Sequence, residues 1–472
     1  MDHASMTLRL RRVASLQVLA SQIASLAVGA LILVWPALWN GYPLVFADTG
    51  TYLGQTLLGY LGWDRPIFYS VFLRLTHWRV SLWFPVIAKG LIVAHVLSIA
   101  LRLAGLRGPM PLLITCAGLA LFTGLPWFVG QLMPDLFTGV LVLALWLLGF
   151  ADARLGPVEW VWLLLLAAGA ITVHQAHLPL GMFLVLAGGG LAWMREGAAV
   201  ARRVVVPMAT PVLLAAIALV TMNFAGHDRV SLSPFGSVFL AARLIHDGPA
   251  RETLNEFCPE TGWRICAVRQ SMPTEANNFL WLPDSPLHGV LDGPKAWAAE
   301  AAALVGATVL QHPGAVLSAT IRNAVAQFGM VDTGDGLDPW PGVPGPEPLI
   351  ASSFAREHVA FLASRQQTGL LWRDAATIAP LHRLATWLGL GMLVILVVRI
   401  KQDRLRQALC VLVLAAAIGN AGLTGALSGP HHRYQSRLAW LFVLAPAVVV
   451  MHRSASRRDS ERSSDVPRIM VG

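Results

Sequence analysis

The chain has 472 residues, 56% of them hydrophobic and only 13% charged, with a mean hydropathy of +0.60. A soluble domain carries roughly 25% charged residues, so a water-soluble fold is excluded and an all-α polytopic membrane protein is expected. The formal charge of +9 does not point to a nucleic acid, because the basic residues are scattered through short loops instead of gathered on one face.

Crossing a hydrocarbon core takes about 20 helical residues. Apolar runs near that length lie at 15–39, 81–103, 111–129, 136–151, 159–177, 178–194, 204–223, 380–400, 405–428 and 438–452, which predicts about ten transmembrane helices. The first follows Arg9, Arg11 and Arg12, but it is too long for a signal peptide and no small-residue cleavage site ends it. It reads as a retained helix. Basic residues sit in alternate connections: Arg102 and Arg107, then Arg154, then Arg195, Arg202 and Arg203, then Arg399, Lys401, Arg404 and Arg406, and finally Arg453, Arg457 and Arg458. All fall on the side of the N-terminus, so both termini are expected to be cytoplasmic. Arginine outnumbers lysine 32 to 3, a usage that points to a GC-rich bacterial genome and hence to a bacterial cytoplasmic (inner) membrane.

The opposite side then holds a loop at 40–80, the Gln131–Asp135 turn and a mostly helical extracytoplasmic region at 224–379. Residues 223–379 contain 10 Lys and Arg against 15 Asp and Glu, a net of −5 that leaves +14 for the rest of the chain. The expected organisation is a membrane domain at 1–223, the external region at 224–379, further membrane helices at 380–452 and a disordered cytoplasmic tail at 453–472. Within the external region, Asp338–Pro346 is too rich in proline for regular structure. Residues 298–330 read as helices lying at the membrane surface, since His312, Pro313, Arg322 and Asn323 interrupt their apolar pattern. Cys258 and Cys266 share this region and are expected to form a disulfide, which an oxidising compartment permits. Cys116 and Cys410 lie in apolar runs and read as packing residues.

Several polar residues stand out against this background. Asp48 follows the first helix and has two readings: the cap of a short helix, or a general base or metal ligand facing a membrane-borne substrate. Arg65, ahead of Pro66, is either a bidentate phosphate clamp or a lipid-headgroup contact, and Asp64 pairs with it or stays solvated. Asp135 opens the fourth helix, where a carboxylate is favourable in its own right, and adds a second acid to the face that carries Asp48. His174 and His177 either bind a metal from one helical face or make interfacial hydrogen bonds. The final external turn, Gly429–Arg437, carries His431, His432, Arg433, Tyr434 and Arg437, as phosphate ligands or as a cationic anchor. Lys89 lies within the second helix, where a charge is a functional candidate by default unless it snorkels outward.

These residues and their order resemble the GT-C class of membrane glycosyltransferases, which includes protein mannosyltransferases and lipid A aminoarabinose transferases. Asp48 matches the class's leading acid after helix one. Arg65, Pro66 and Tyr69 are similar to its basic–proline–aromatic segment, Asp135 to its second acid before helix four, and Arg433-Tyr434 to its late external pair. The chain departs from the class in having Thr49 where a second acid is common, and in placing its soluble region between helices seven and eight. The resemblance implies a sugar donor on a polyprenyl phosphate and an envelope glycan, lipid or protein acceptor. Asp48 and Asp135 would be catalytic, the first as base and the second orienting the acceptor or sharing the work of the base. Arg65, Tyr69, His174, His177, Arg433, Tyr434 and Arg437 would bind substrate, Arg65 and Arg433 at the phosphate. A divalent metal is left open. The competing readings are a transporter or flippase for a lipid-linked glycan, with Lys89 and His95 along its path, and a noncatalytic envelope-assembly protein.

Overall fold

A computed structural model describes residues 3–343, 345–400 and 402–464, with side chains for 16–343, 345–400 and 402–452. Arg9, Arg11, Arg12, Arg453, Arg457 and Arg458, part of the orientation argument, lie outside the residues whose side chains are described, and so does Lys401. Every described element is a helix, and one isolated parallel bridge joins Leu44 to Gln131.

Each of the ten apolar runs carries a helix, but among the described residues only seven are long and apolar enough to cross a membrane. These are Leu16–Leu33 within the His3–Leu33 helix, Trp83–Leu103, His177–Glu196, Ala198–His227, Leu371–Arg399, Arg404–Leu427 and His432–His452. Prolines divide the first and third runs. The first run breaks at Val34, where Pro36 opens a second helix, Trp35–Asn40. The third divides into Pro109–Phe122 and Leu125–Gly130, with Pro126 opening the second piece. The fourth and fifth give only Phe137–Phe150 and Pro157–Thr172. A proline is favoured in the first turn of a helix, and Pro36 and Pro126 each sit in the first turn of the helix that follows the break.

The boundary expected at 379 also moves. One helix runs unbroken from Leu371 to Arg399 with Pro380 inside it. The last helix continues past Pro446 to Ser464, so the expected tail is helical as far as that residue. Residues 465–472 lie outside the described residues.

The long helices expose apolar side chains along their outer faces, for example Leu384, Leu388, Ile395 and Val398 on Leu371–Arg399 and Leu213, Ile217 and Phe224 on Ala198–His227. Bands of this extent are unfavourable in water, at roughly 25 cal/mol per Å², and they suit a hydrocarbon surround. The Phe137–Phe150 helix is the opposite case, with every residue buried. At 1.5 Å per residue its 14 residues span about 21 Å, and Asp135 sits in the Pro134–Leu136 turn that leads into it.

The stretch expected as one external region is two in the structure. Gly236–Asp247 packs with Gly293–Gln311 around Phe279, Leu287, Leu291 and Trp297, a core separate from that of the bundle. Cys258 is bonded to Cys266 at its edge. Residues after 331 pack instead on the bundle, where Phe361 meets Tyr42 at 5.6 Å and Gln366 bonds the Val45 backbone through both its amide atoms. Between the two, Gly293–Gln311 and Pro313–Gly329 bend by 100° at His312. The second of these packs on Arg404–Leu427 so closely that a Cβ at Gly425 would fall 2.7 Å from the Asn323 carbonyl oxygen. Its Leu317, Ile321 and Val325 remain exposed. If this bent pair counts as a single broken span, the candidates number eight.

Candidate functional site

Two loops that are far apart in sequence run side by side at one end of the bundle. The Leu44 N–H donates to the Gly130 carbonyl at 2.9 Å, and the Leu132 N–H donates to the Leu44 carbonyl at 2.7 Å. The Thr49 hydroxyl adds a bond to the Leu132 carbonyl at 3.2 Å. This short ladder puts Asp48, just after the first loop, beside Asp135, just after the second.

Lys89 holds the second loop from beneath. Its fully buried ammonium donates to the carbonyls of Phe128 at 3.0 Å and Met133 at 3.3 Å, and to that of Gln131. It therefore does not snorkel outward, and its charge is met by backbone carbonyls. His95, the other residue of the transporter reading, packs against Trp162 at 6.0 Å.

Each acid is engaged by arginine. Arg65 gives Nη2 and Nε to Asp48 Oδ2 at 2.8 and 3.2 Å, and Nη1 to the Asp64 carbonyl at 3.0 Å. The other oxygen, Asp48 Oδ1, makes no hydrogen bond among the described residues. Asp48 does not cap its helix, Ala47–Gly54: Thr49 Oγ1 accepts from the Phe46 N–H at 2.9 Å and closes that turn. Asp135 is buried at 1% exposure, with Arg437 Nη1 3.2 Å and Arg433 Nε 3.9 Å from its Oδ1. Asp64 is also buried, and burial pushes its carboxyl above the usual range although Arg65 opposes this. Two guanidiniums thus share Asp135, while Arg65 is taken up by Asp48.

Asp48, Asp64, Arg65, Asp135, His174, Arg433 and Tyr434 all line one cavity of about 430 Å³. The Arg433 guanidinium stacks over the Phe46 ring at 4.0 Å, and its Nη1, although buried, has no hydrogen-bond partner among the described residues. An unmet guanidinium donor out of water costs free energy, which an anionic ligand would recover. On the far side the cavity is apolar. Met182, Leu232 and Leu427, all exposed, form part of its rim between the His177–Glu196, Ala198–His227 and Arg404–Leu427 helices.

Three expected substrate-binding residues lie behind the wall. Tyr69 is fully buried, packed edge-on to Tyr52 at 4.9 Å. Arg437, also fully buried, gives Nη2 to Asn420 Oδ1 at 3.0 Å besides its bond to Asp135, and so supports the acid without facing the cavity. His177 spends Nε2 on the Thr138 hydroxyl at 2.7 Å and Nδ1 on the Ala170 carbonyl at 2.6 Å. It opens the His177–Glu196 helix, whereas His174 sits in the preceding turn, so the two do not share one face of the fifth helix. A metal does not fit this pair, since His177 has no nitrogen to spare, and among the described residues no three His, Cys, Asp or Glu converge on a cation site. Burial and the nearby Arg437 charge hold His174 well below the usual imidazole range, so its ring is neutral.

The structure also adds wall residues that the sequence did not single out. Tyr52 lines the cavity, and Arg243, Asn277 and Trp281 reach it from the separate core. Arg65 lies 5.6 Å over the Trp281 ring. The one local signal was Arg243 with Asp247, four apart on a helix. No family model matches this chain, and neither do the curated proteins or the solved structures.

Proposed function

We propose that this chain is a membrane glycosyltransferase that moves a sugar from a polyprenyl-phosphate donor to a hydroxyl of an envelope glycan, lipid or protein on the external face of a bacterial inner membrane. In this reading the short apolar helices complete a ten-helix membrane region, both termini are cytoplasmic, and the cavity faces outward. The observation that carries it is one cavity joining three features: a carboxylate oxygen free of partners at Asp48, an unmet buried guanidinium donor at Arg433, and an apolar rim. A lipid phosphate matches the last two, its chain along the rim and its head at the arginine.

The acceptor hydroxyl gives its proton to Asp48 Oδ1 as its oxygen bonds the anomeric carbon. The bond from that carbon to the phosphate oxygen breaks, and its electron pair leaves on polyprenyl phosphate, whose charge Arg433 meets. Arg65 is bound to Asp48 and to the Asp64 carbonyl, so its role is to aim the base more than to clamp phosphate. Asp135, held by Arg437, fixes Arg433 in turn.

Asp48→Asn tests this. Asn keeps the size and still offers Arg65 an oxygen, and Thr49 retains the helix cap, so the protein should fold. Transfer of labelled sugar from polyprenyl-phosphate donors by purified protein should fall by about 10²–10⁴ with donor binding retained. Near-native transfer by the variant, or none by wild type with any such donor, would overturn the proposal.

A further inference from the structure

Beside the cavity lies a second depression, of about 480 Å³, opening to solvent. The two share Arg243, Asn277 and His431 as a common wall. Their chemistry differs: the first has an apolar rim, while the second is walled largely by Arg, Asp, Glu, Asn, His and Ser side chains. We propose that this basin binds an uncharged, hydroxyl-rich ligand, a neutral glycan segment, and so seats the acceptor of the transfer reaction. The identity of the ligand as acceptor rests on the transfer reading; the binding of a neutral polyol does not.

Charge balance carries the choice of ligand. The Arg243 side chain is 8% exposed, and its Nε donates to Asp247 Oδ2 at 2.9 Å, with a second bond from Nη2 to Oδ1. Asn323 Nδ2 donates to the same carboxylate at 2.9 Å. That pair is neutral as a unit. On the open side, the Arg322 cation is matched by the Glu275 anion, and His246 lies 3.4 Å from Glu275. An anionic ligand therefore gains no net attraction. A sugar hydroxyl both donates and accepts, and can use guanidinium, amide and carboxylate groups alike. The cavity beside it has the opposite bias, with two guanidiniums on Asp135 and an unmet Arg433 donor.

The sill between the two spaces is the Ser428–His431 turn. Gly429 sits there at φ +103°, and a Cβ at that position would collide with Arg243 Nη1. Glycine lets the turn lie directly over the buried arginine. The chain then enters the last helix, which carries Arg433 and Tyr434 into the neighbouring cavity. A ligand in the basin would thus touch the turn that leads into the phosphate-facing arginine.

The test uses the full chain in lipid nanodiscs with four soluble probes: maltotriose and mannotriose as neutral sugars, trigalacturonate as an acidic sugar, and inorganic phosphate. Ligand-observed saturation-transfer NMR gives the affinities, and binding of undecaprenyl phosphate is measured in parallel. A neutral trisaccharide should bind in preference to trigalacturonate and phosphate. Arg322→Trp, at an exposed position that lines only the basin, should weaken neutral-sugar binding at least tenfold and leave undecaprenyl phosphate within twofold of wild type. Glu275→Gln leaves Arg322 uncompensated and should shift preference toward trigalacturonate severalfold, which keeps the claim testable if the tryptophan variant does not fold. Tighter binding of either anion by wild type, no saturation by either neutral sugar, or neutral-sugar binding indifferent to both substitutions would overturn the basin proposal. Loss of undecaprenyl phosphate binding by wild type would instead count against the donor reading, and would leave the basin result standing on its own.

Discussion

Replacing Asp135 with leucine should leave two guanidiniums, Arg433 and Arg437, facing a buried site with no anion. Asp135 is 1% exposed and the Arg437 side chain not at all. Removing one partner of a buried ion pair costs about 3–5 kcal/mol. Arg437 keeps Asn420 Oδ1 at 3.0 Å, which places Asp135→Leu toward the lower end, about 3–4 kcal/mol. Arg437→Leu is milder, about 2–3 kcal/mol, because Arg433 remains 3.9 Å from the carboxylate. The double variant removes Asp135 and Arg437 together and leaves only Arg433 unmatched, so its cost should fall short of the summed singles by at least about 2 kcal/mol, as expected for directly coupled groups. Equilibrium unfolding of reconstituted protein in SDS, followed by the fluorescence of its 17 tryptophans, measures all three. An additive double variant, or an Asp135→Leu cost below about 1 kcal/mol, would refute the reasoning, because it would mean that water reaches the pair and screens it.

Arg433→Ala should weaken polyprenyl-phosphate binding by about tenfold or more, since a charge-assisted bond contributes about 1.5–3 kcal/mol; equilibrium binding in nanodiscs reads it, and unchanged affinity would remove Arg433 from the phosphate site. Lys89→Met deprives the Phe128 and Met133 carbonyls of their donor at about 1–3 kcal/mol each, while Gln131 O keeps the Met133 N–H at 2.8 Å. Hydrogen exchange should therefore rise over 128–135, and unaltered protection there would show that the ladder to Leu44 suffices without the lysine. Cys258→Ser with Cys266→Ser opens a short loop and should cost the separate core about 2–3 kcal/mol. Limited proteolysis should then cut within 235–304 and spare the bundle; uniform cleavage of both would contradict the division into two cores.

Along the chain, local chemistry was enough to locate the helices and several wall residues. An apolar run reports its own burial or lipid contact, and an acid or arginine next to a run reports its depth, so Asp48, Arg65, Asp135, His174, Arg433 and Tyr434 could be singled out before any fold was known. Helix breaks were legible in principle, since Pro36, Pro126 and Pro313 each open a new helix. Pro380, inside an intact helix, shows that proline alone does not decide. What only the tertiary structure decided is which groups meet. Asp135 and Arg437 are 302 residues apart, and nothing local distinguishes Arg437, turned into the protein behind Asp135, from Arg433 four residues earlier, which faces the cavity. The same holds for Lys89, whose partners are carbonyls of another segment, and for Tyr69 and His177, whose polar types suggested a surface their packing denies. A side chain's role depends on the field and the donors around it. In a bundle those come from neighbouring helices, whose arrangement is settled by packing over the whole buried core and not by any one stretch of sequence.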